Sequence, residues 1–389
     1  MNIFNKYTSL FILIIGIAAI TLFVFLPNFE TEEFDQDVID NIIEGVTTTT
    51  LPNNSSQLAE NDSESDISED LPLVISQQEV SKIEKILENN KFESEILDFE
   101  AYLLIGSDER SEKIAETRGY VSGKRADVII VGLVNKENGE ITLLSFPRDL
   151  LIKNSCTGKI ERINASYIKN NCGGRAENLA AAIYSISGIK VQHFASFDFE
   201  GFEDIIDSVD GVEICVDKTQ REGFSFELQK GCQVVSGLTT LNWIVSRSTE
   251  VLVGEKILDE EGNDVSNWEL MRGVSDLTRI ERQQYVVIQL IKELKDFQSV
   301  NELNNFINAL ENSFTIDENI TINKAVDILW DFRGVDLSKV NKLTTPVDFL
   351  TLDDGRQVLV MNKKISELLK QNSIIAVSYT HLRAHETQS

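Results

Sequence analysis

The sequence predicts an α/β domain in which helices cover both faces of a central sheet, and two observations carry that prediction. The first is a hairpin signal. Two apolar runs, Val128–Val134 and Ile141–Phe146, flank the turn-forming Asn138-Gly139. The runs are apolar on both strand faces, as in a sheet covered on both sides. The second is alternation: from Ala101 onward strand-like and helix-like segments take turns, the pattern of a sheet packed between helices.

Within the hairpin, a two-residue loop pairs Glu137 with Glu140, and a four-residue loop starting at Lys136 pairs Asn135 with it. Counting outward, Asp127 falls opposite Leu150 or Arg148. Either register gathers Arg125, Asp127, Arg148 and Asp149 at the open end. Two guanidiniums and two carboxylates on one sheet edge suit a metal and a phosphate; ordinary solvated strand-end charges are the alternative.

Taken from the N-terminus, Leu10–Leu26 is an apolar run about as long as a bilayer core requires. Lys6 precedes it and acidic residues follow, so the positive-inside bias places residues beyond Pro27 outside the cytoplasm. A cleaved signal peptide is the rival, but no small-x-small cleavage site follows the run. The expected organisation is a cytoplasmic N-terminus (1–8), a signal anchor (9–27), a flexible acidic stalk (28–77) and a folded domain (78–376, core 99–291). Between Glu30 and Asp70 there are 13 acidic residues and no Lys or Arg, a composition that cannot bury enough apolar surface to fold alone.

In the domain, helices are expected at Gln78–Glu88, Arg175–Ile186, Glu200–Val209, Thr239–Ser248 and Thr278–Phe297, and further on at Val300–Leu310, Asn323–Phe332 and Ile365–Leu369. Strands are expected at Ala101–Gly106, Gln192–Phe199, Gly211–Val216 and Gln357–Val360. The tail from Val377, VSYTHLRAHETQS, breaks with the preceding composition and resembles translated sequencing adapter. Residues 377–389 are therefore left out of the fold, and the natural C-terminus is expected to be missing.

Composition excludes several functions. A net charge of −27 argues against nucleic acid, which needs a basic surface. Only three histidines occur, two of them in the discounted tail, so a catalytic triad or a zinc site would have to use His193, which sits in a strand-like run. The four cysteines fall as Cys156/Cys172 and Cys215/Cys232, with the wrong spacing for CxxC motifs. They suit two disulfides in an oxidising compartment, with four buried thiols as the alternative.

Six motifs then occur in a fixed order: YLLIGSDER at Tyr102–Arg110, RADVIIVGLV, ITLLSFPRD, RINASY at Arg162–Tyr167, FDFEGFEDIIDSVDGVEICV at Phe197–Val216, and SDLTRIERQQ at Ser275–Gln284. This succession resembles the LytR–CpsA–Psr family of membrane-anchored cell-wall proteins. The resemblance implies a mixed sheet between helices, with a lipid tail in an apolar pocket and its pyrophosphate at the mouth. It implies a phosphotransferase that moves a teichoic acid, capsule or similar glycopolymer from polyprenyl pyrophosphate to peptidoglycan. A pyrophosphatase acting on the same donor and a non-catalytic lipid- or polymer-binding protein are the alternatives on this fold.

By resemblance, Asp108 and Asp127 match the family's ligands for Mg²⁺ or Mn²⁺. Arg125, Arg148, Arg247 and Arg279 match its pyrophosphate-binding arginines, with Arg282 beside them. Asp276 and Gln283 lie in the same final motif, and Gln283 shares a helix face with Arg279. Arginine suits this role because its planar fork meets phosphate oxygens in pairs. The chain departs from the family at Val245, where Arg-Ser-Arg is common, and at Val128 and Leu150, where hydroxyl residues are frequent. The insertion Thr249–Gly273, carrying Trp268, adjoins this region and could adapt it to a particular polymer.

Overall fold

The computed structural model describes residues 30–48, 75–107, 125–271, 276–295, 314–319 and 336–375. The described elements begin with β1 (Glu30–Glu32), α1 (Gln36–Thr48) and α2 (Gln77–Asn90), then β2 (Phe99–Ser107), β3 (Ala126–Asn135) and β4 (Ile141–Ser145). The hairpin β5 (Leu151–Lys153) and β6 (Ile160–Arg162) leads to α3 (Arg175–Ser187), β7 (His193–Phe197), α4 (Phe199–Ser208) and β8 (Val212–Val216). Short strands β9 (Gln220–Glu222), β10 (Phe226–Leu228) and β11 (Gly231–Val235) precede α5 (Gly237–Val245), β12 (Glu250–Leu252) and β13 (Trp268–Leu270). The long α6 (Asp276–Lys295), β14 (Phe314–Asp317), β15 (Asn341–Thr344), β16 (Val347–Thr351), β17 (Gln357–Met361) and α7 (Ile365–Gln371) complete it.

Among the described residues, seven strands form the central sheet in the order β1-β14-β7-β2-β3-β4-β15. It is mixed: β1/β14, β2/β7 and β4/β15 run parallel, and the other neighbours antiparallel. The β3–β4 turn resolves the two registers. Val134 faces Ile141, the Asn135 N–H donates to Glu140 O at 2.9 Å, and Gly139 adopts φ +69°. The loop is the four-residue one, and only glycine enters its left-handed final position without a Cβ penalty.

Period-2 alternation sends successive side chains to opposite layers. Leu103, Ile105, Ile129, Val131 and Leu144 join a core with Ile39 of α1, Leu179 and Ile183 of α3 and Leu369 of α7. On the other face Ile130, Ile141 and Leu143 meet Val287 and Ile288 of α6. Helices therefore cover both faces. A second core packs α4, α5 and α6 on β8 and β10, and β12 and β13 of the insertion extend β9 and β10 into a four-stranded sheet.

The acidic stretch corrects one expectation. Residues 30–48, assigned to a flexible stalk, form β1 on the sheet edge and α1 against α3. Phe34, Ile39 and Ile42 are buried in the main core, and none of the carboxylates from Glu32 to Glu44 is buried. High charge fixes the solvent face of such a segment without removing its apolar one. The helices expected at Val300–Leu310 and Asn323–Phe332, the remainder of the stalk up to residue 74, the Leu10–Leu26 run and the tail lie outside the described residues. Among the described residues, no helix is long and apolar enough to cross a membrane.

Candidate functional site

The open end of the β3–β4 hairpin carries the charged cluster. Between β2 and β3 the register shifts, with Gly106 opposite Val128 but Ser107 opposite Ala126, so Asp127 is the extra residue of a β-bulge. Bulges re-aim side chains at strand ends. Here the four-residue turn sets Arg148 opposite Asp127, and Arg148 Nη1 donates to Asp127 Oδ1 at 2.7 Å. Arg148 Nε lies 3.7 Å from Asp149 Oδ2, and Arg162 Nε lies 3.2 Å from Asp149 Oδ1. The result is a partly buried chain of alternating charge: Asp127, Arg148, Asp149, Arg162.

Arg162 is the member that the sequence did not nominate. Its place depends on the β5–β6 ladder, which pairs it with Leu151, and on the Ile163 N–H donating to Leu150 O at 2.8 Å. Arg125 immediately precedes β3 at the same end. Asp108 follows Ser107, the last residue of β2, and lies outside the described residues.

α6 brings the final motif toward this end. Gln284 Nε2 donates to Ser145 Oγ and to Leu343 O, both at 2.8 Å, fastening the helix where β4 ends. Val287 and Ile288 pack on Ile141 and Leu143, so α6 runs from the open end of the hairpin toward its turn. Arg279 and Gln283, before the fastening point, therefore lie on the Arg148 side, both buried (9% and 8% exposed) and on one helix face, as expected. Asp276 opens α6, and its side chain lies outside the described ones.

Arg282 behaves differently from its neighbours. Three residues after Arg279, it turns about 60° around the helix and faces α5. Its Nη1 donates to Trp243 O at 2.8 Å, its Nη2 to Thr249 Oγ1 at 3.1 Å, and its Cζ sits 5.0 Å from the Trp243 ring centroid. Burial pushes its pKa down to about 10. Arg282, expected beside the pyrophosphate, is held here as a clamp between α6 and α5. That clamp holds the turn bearing Arg247, since Thr249 Oγ1 is also 2.7 Å from Ser246 Oγ. Arg247 itself is exposed, just past the end of α5, and Val245 packs on the second core.

The insertion adds a wall beside this clamp. A cavity of about 550 Å³ opens there, lined among others by Lys218, Gln220, Trp243, Leu270, Met271 and Arg282. Trp268 stacks under Arg221, whose Cζ is 4.0 Å from the ring centroid. Both disulfides are present as paired in the sequence, Cys156–Cys172 and Cys215–Cys232. The second joins residues directly opposite each other on β8 and β11. His193 is buried with Nδ1 2.6 Å from Asp317 Oδ2, a packed histidine at the sheet's interior. Among the described residues, no group of three or more His, Cys, Asp or Glu could hold a metal ion.

The sequence profile of the LytR–CpsA–Psr family matches residues 72–256 and 261–374. The chain belongs to the LytR–CpsA–Psr family. Among its relatives are the probable cell wall biosynthesis protein LcpB of Corynebacterium glutamicum, 31% identical over 155 residues (38% of this chain, 36% of that protein). The polyisoprenyl-teichoic acid–peptidoglycan teichoic acid transferase TagU of Bacillus subtilis is 25% identical over 210 residues (54% and 59%). Its Bacillus anthracis namesake is 26% identical over 258 residues (63% and 78%). The chain thus spans between about a third and three-fifths of the first two relatives' length. The fold is that of LytR–CpsA–Psr structures. The LytR-Csp2A-Psr enzyme from Actinomyces oris superposes with a TM-score of 0.54 at 20% identity, covering 72% of this chain and 92% of that one. B. subtilis TagV gives 0.53 at 19%, covering 71% and 96%.

Proposed function

We propose that this LytR–CpsA–Psr protein is a membrane-anchored phosphotransferase that attaches a polyprenyl-pyrophosphate-linked glycopolymer to peptidoglycan, with residues beyond Pro27 outside the cytoplasm. The observation that carries the proposal is the Arg148–Asp127 pair. A guanidinium is fixed by a bulge-borne carboxylate at the open end of a buried sheet, with Arg279 and Gln283 delivered to the same end by α6. The names of the teichoic acid transferase relatives support the substrate class.

Phosphoryl transfer asks mainly for positioning and for neutralisation of phosphate charge. Arg148 is preorganised for both, because Asp127 holds one arm of its fork by a hydrogen bond and Asp149 lies within ion-pair distance of Nε before any ligand arrives. In this reading Arg125, Arg148, Arg247 and Arg279 hold the pyrophosphate, with Gln283 alongside. A peptidoglycan sugar hydroxyl attacks the phosphorus that carries the polymer, the bridging P–O bond breaks, and polyprenyl phosphate leaves. The hydroxyl proton is taken up by a carboxylate of the cluster.

In this reading Asp127 belongs to a site for Mg²⁺ or Mn²⁺. Magnesium takes hard oxygen ligands, commonly one or two carboxylates with water and substrate phosphates. Asp127 supplies such a carboxylate, one oxygen of which already accepts from Arg148, and Asp108 is the second by sequence. When bound, the ion would neutralise charge on the pyrophosphate. The test is transfer from a lipid-pyrophosphate donor by the full chain in detergent. Arg148→Ala should lower turnover by about 10²–10³-fold, the cost of losing one transition-state donor, with the fold intact. Turnover equal to wild type would refute the assignment.

A further inference from the structure

The N-terminal edge of the sheet points the same way as the candidate site. Glu30 on β1 pairs with Thr315, Thr315 with Ser196 on β7, Ser196 with Ile105 on β2, and Ile105 with Ile129 on β3. Glu30 thus stands in a row that ends two residues short of Asp127. The chain enters β1 from the end of the sheet that carries Arg148. β1 and β3 are four strand spacings apart, or roughly 19 Å. Sheet twist turns the strands against one another without lengthening that row.

This edge is well held. Phe34, Ile39 and Ile42 are buried, with the Phe34 ring 5.1 Å from that of Phe194. The Asp35 N–H donates to Glu177 Oε1 at 3.0 Å, and Lys190 Nζ lies 2.8 Å from Asp40 Oδ2. Two glycines make room: a Cβ at Gly173 would stand 2.9 Å from Val38 Cγ1, and one at Gly174 would stand 3.1 Å from Glu32 Oε1.

We propose that β1 and α1 form a strap that fixes the Arg148 end of the sheet at the surface of a lipid bilayer, so that the site takes its donor at headgroup level. The inference rests on the proposed anchor at 9–27 and on a lipid-linked donor. Leu26, the last residue of the apolar run, is four residues before Glu30, at most ~14 Å of extended chain. With the row across the sheet, this holds Asp127 within roughly 40 Å of the bilayer by any path. A free stalk over residues 28–77 would reach roughly 170 Å. The strap therefore removes the freedom that a stalk would give.

The test uses the full chain in phospholipid vesicles with an energy-transfer acceptor on the headgroups. All four cysteines are bonded, so one added thiol takes the donor dye, either at Ser248→Cys beside Arg247 or at Asn138→Cys on the hairpin turn. Transfer should be several-fold stronger from position 248 than from 138. Twenty Gly/Ser residues inserted between Asn28 and Phe29 should cut the position-248 signal several-fold. The same insertion between Ser55 and Ser56, beyond the strap, should leave it unchanged. Equal transfer from the two positions, equal effects of the two insertions, or a chain that does not enter vesicles would overturn the proposal. The readout needs no turnover, so an inactive chain would sink the transferase reading and leave this result standing.

Discussion

Arg282→Ala separates a structural arginine from a ligand-binding one. The side chain donates to Trp243 O and Thr249 Oγ1, makes a longer contact to Met271 Sδ at 3.9 Å, and lies over the Trp243 ring. Hydrogen bonds from a charged donor are worth about 1.5–3 kcal/mol each, and the ring contact adds roughly 0.5–2. Against this stands the cost of burying the charge, visible in a pKa pushed down to about 10, which truncation relieves. The net expectation is a loss of about 2–4 kcal/mol. At a slope near 3 kcal/mol/M this lowers the urea midpoint by about 1 M, read from tryptophan fluorescence. Arg282→Lys should recover little, because an ammonium cannot span both acceptors. Wild-type stability together with abolished donor binding would refute this reasoning and return Arg282 to the pyrophosphate site.

Three further outcomes follow from other contacts. Gly237→Ala should destabilise by about 1–3 kcal/mol, as overpacking does, because its Cβ would stand 2.3 Å from Glu203 O; an unchanged melting temperature would show that α4 and α5 yield more easily than their backbones suggest. Replacing Cys215 and Cys232 by serine opens a 17-residue separation and should cost about 3 kcal/mol on the chain-entropy account, measured by calorimetry against the Cys156/Cys172 double variant, whose separation of 16 residues predicts a similar loss. Burial alone would raise the Asp317 carboxyl, but hydrogen bonds from His193 and from the Asn319 backbone and side chain hold it below its usual value. A carboxyl lowered by folding contributes stability above its unfolded pKa of about 3.9 and loses it as pH falls through the folded one; wild type should therefore be the more stable protein at neutral pH and converge with Asp317→Asn in acid, and parallel curves would contradict this.

The local parts of the design were legible in the sequence. Asn138-Gly139 announced the hairpin, and counting outward from it put Arg148 opposite Asp127 in one of two registers. The shared face of Arg279 and Gln283 followed from helical spacing alone, as did the pairing of neighbouring cysteines from their separation. What escaped depends on contacts distant in sequence. Arg162 reaches Asp149 only through the β5–β6 ladder. Arg282 is close to Arg279 in sequence, but its direction is decided by where α5 packs. In the acidic stretch, Phe34, Val38 and Ile42 recur every four residues, a helical stripe hidden by the carboxylates averaged over the same window.

Short strands guard both outer edges of the described sheet. β1 and β15, of three and four residues, occupy its outer edges, and short edge strands offer little template for pairing with another molecule. A recombinant fragment starting at residue 78 would strip one guard, baring the outer edge of β14 and the flank of Phe194 that Phe34 covers. Such a fragment should self-associate through the apolar surface that Phe34, Ile39 and Ile42 cover, and expression beginning at Glu30 should avoid this.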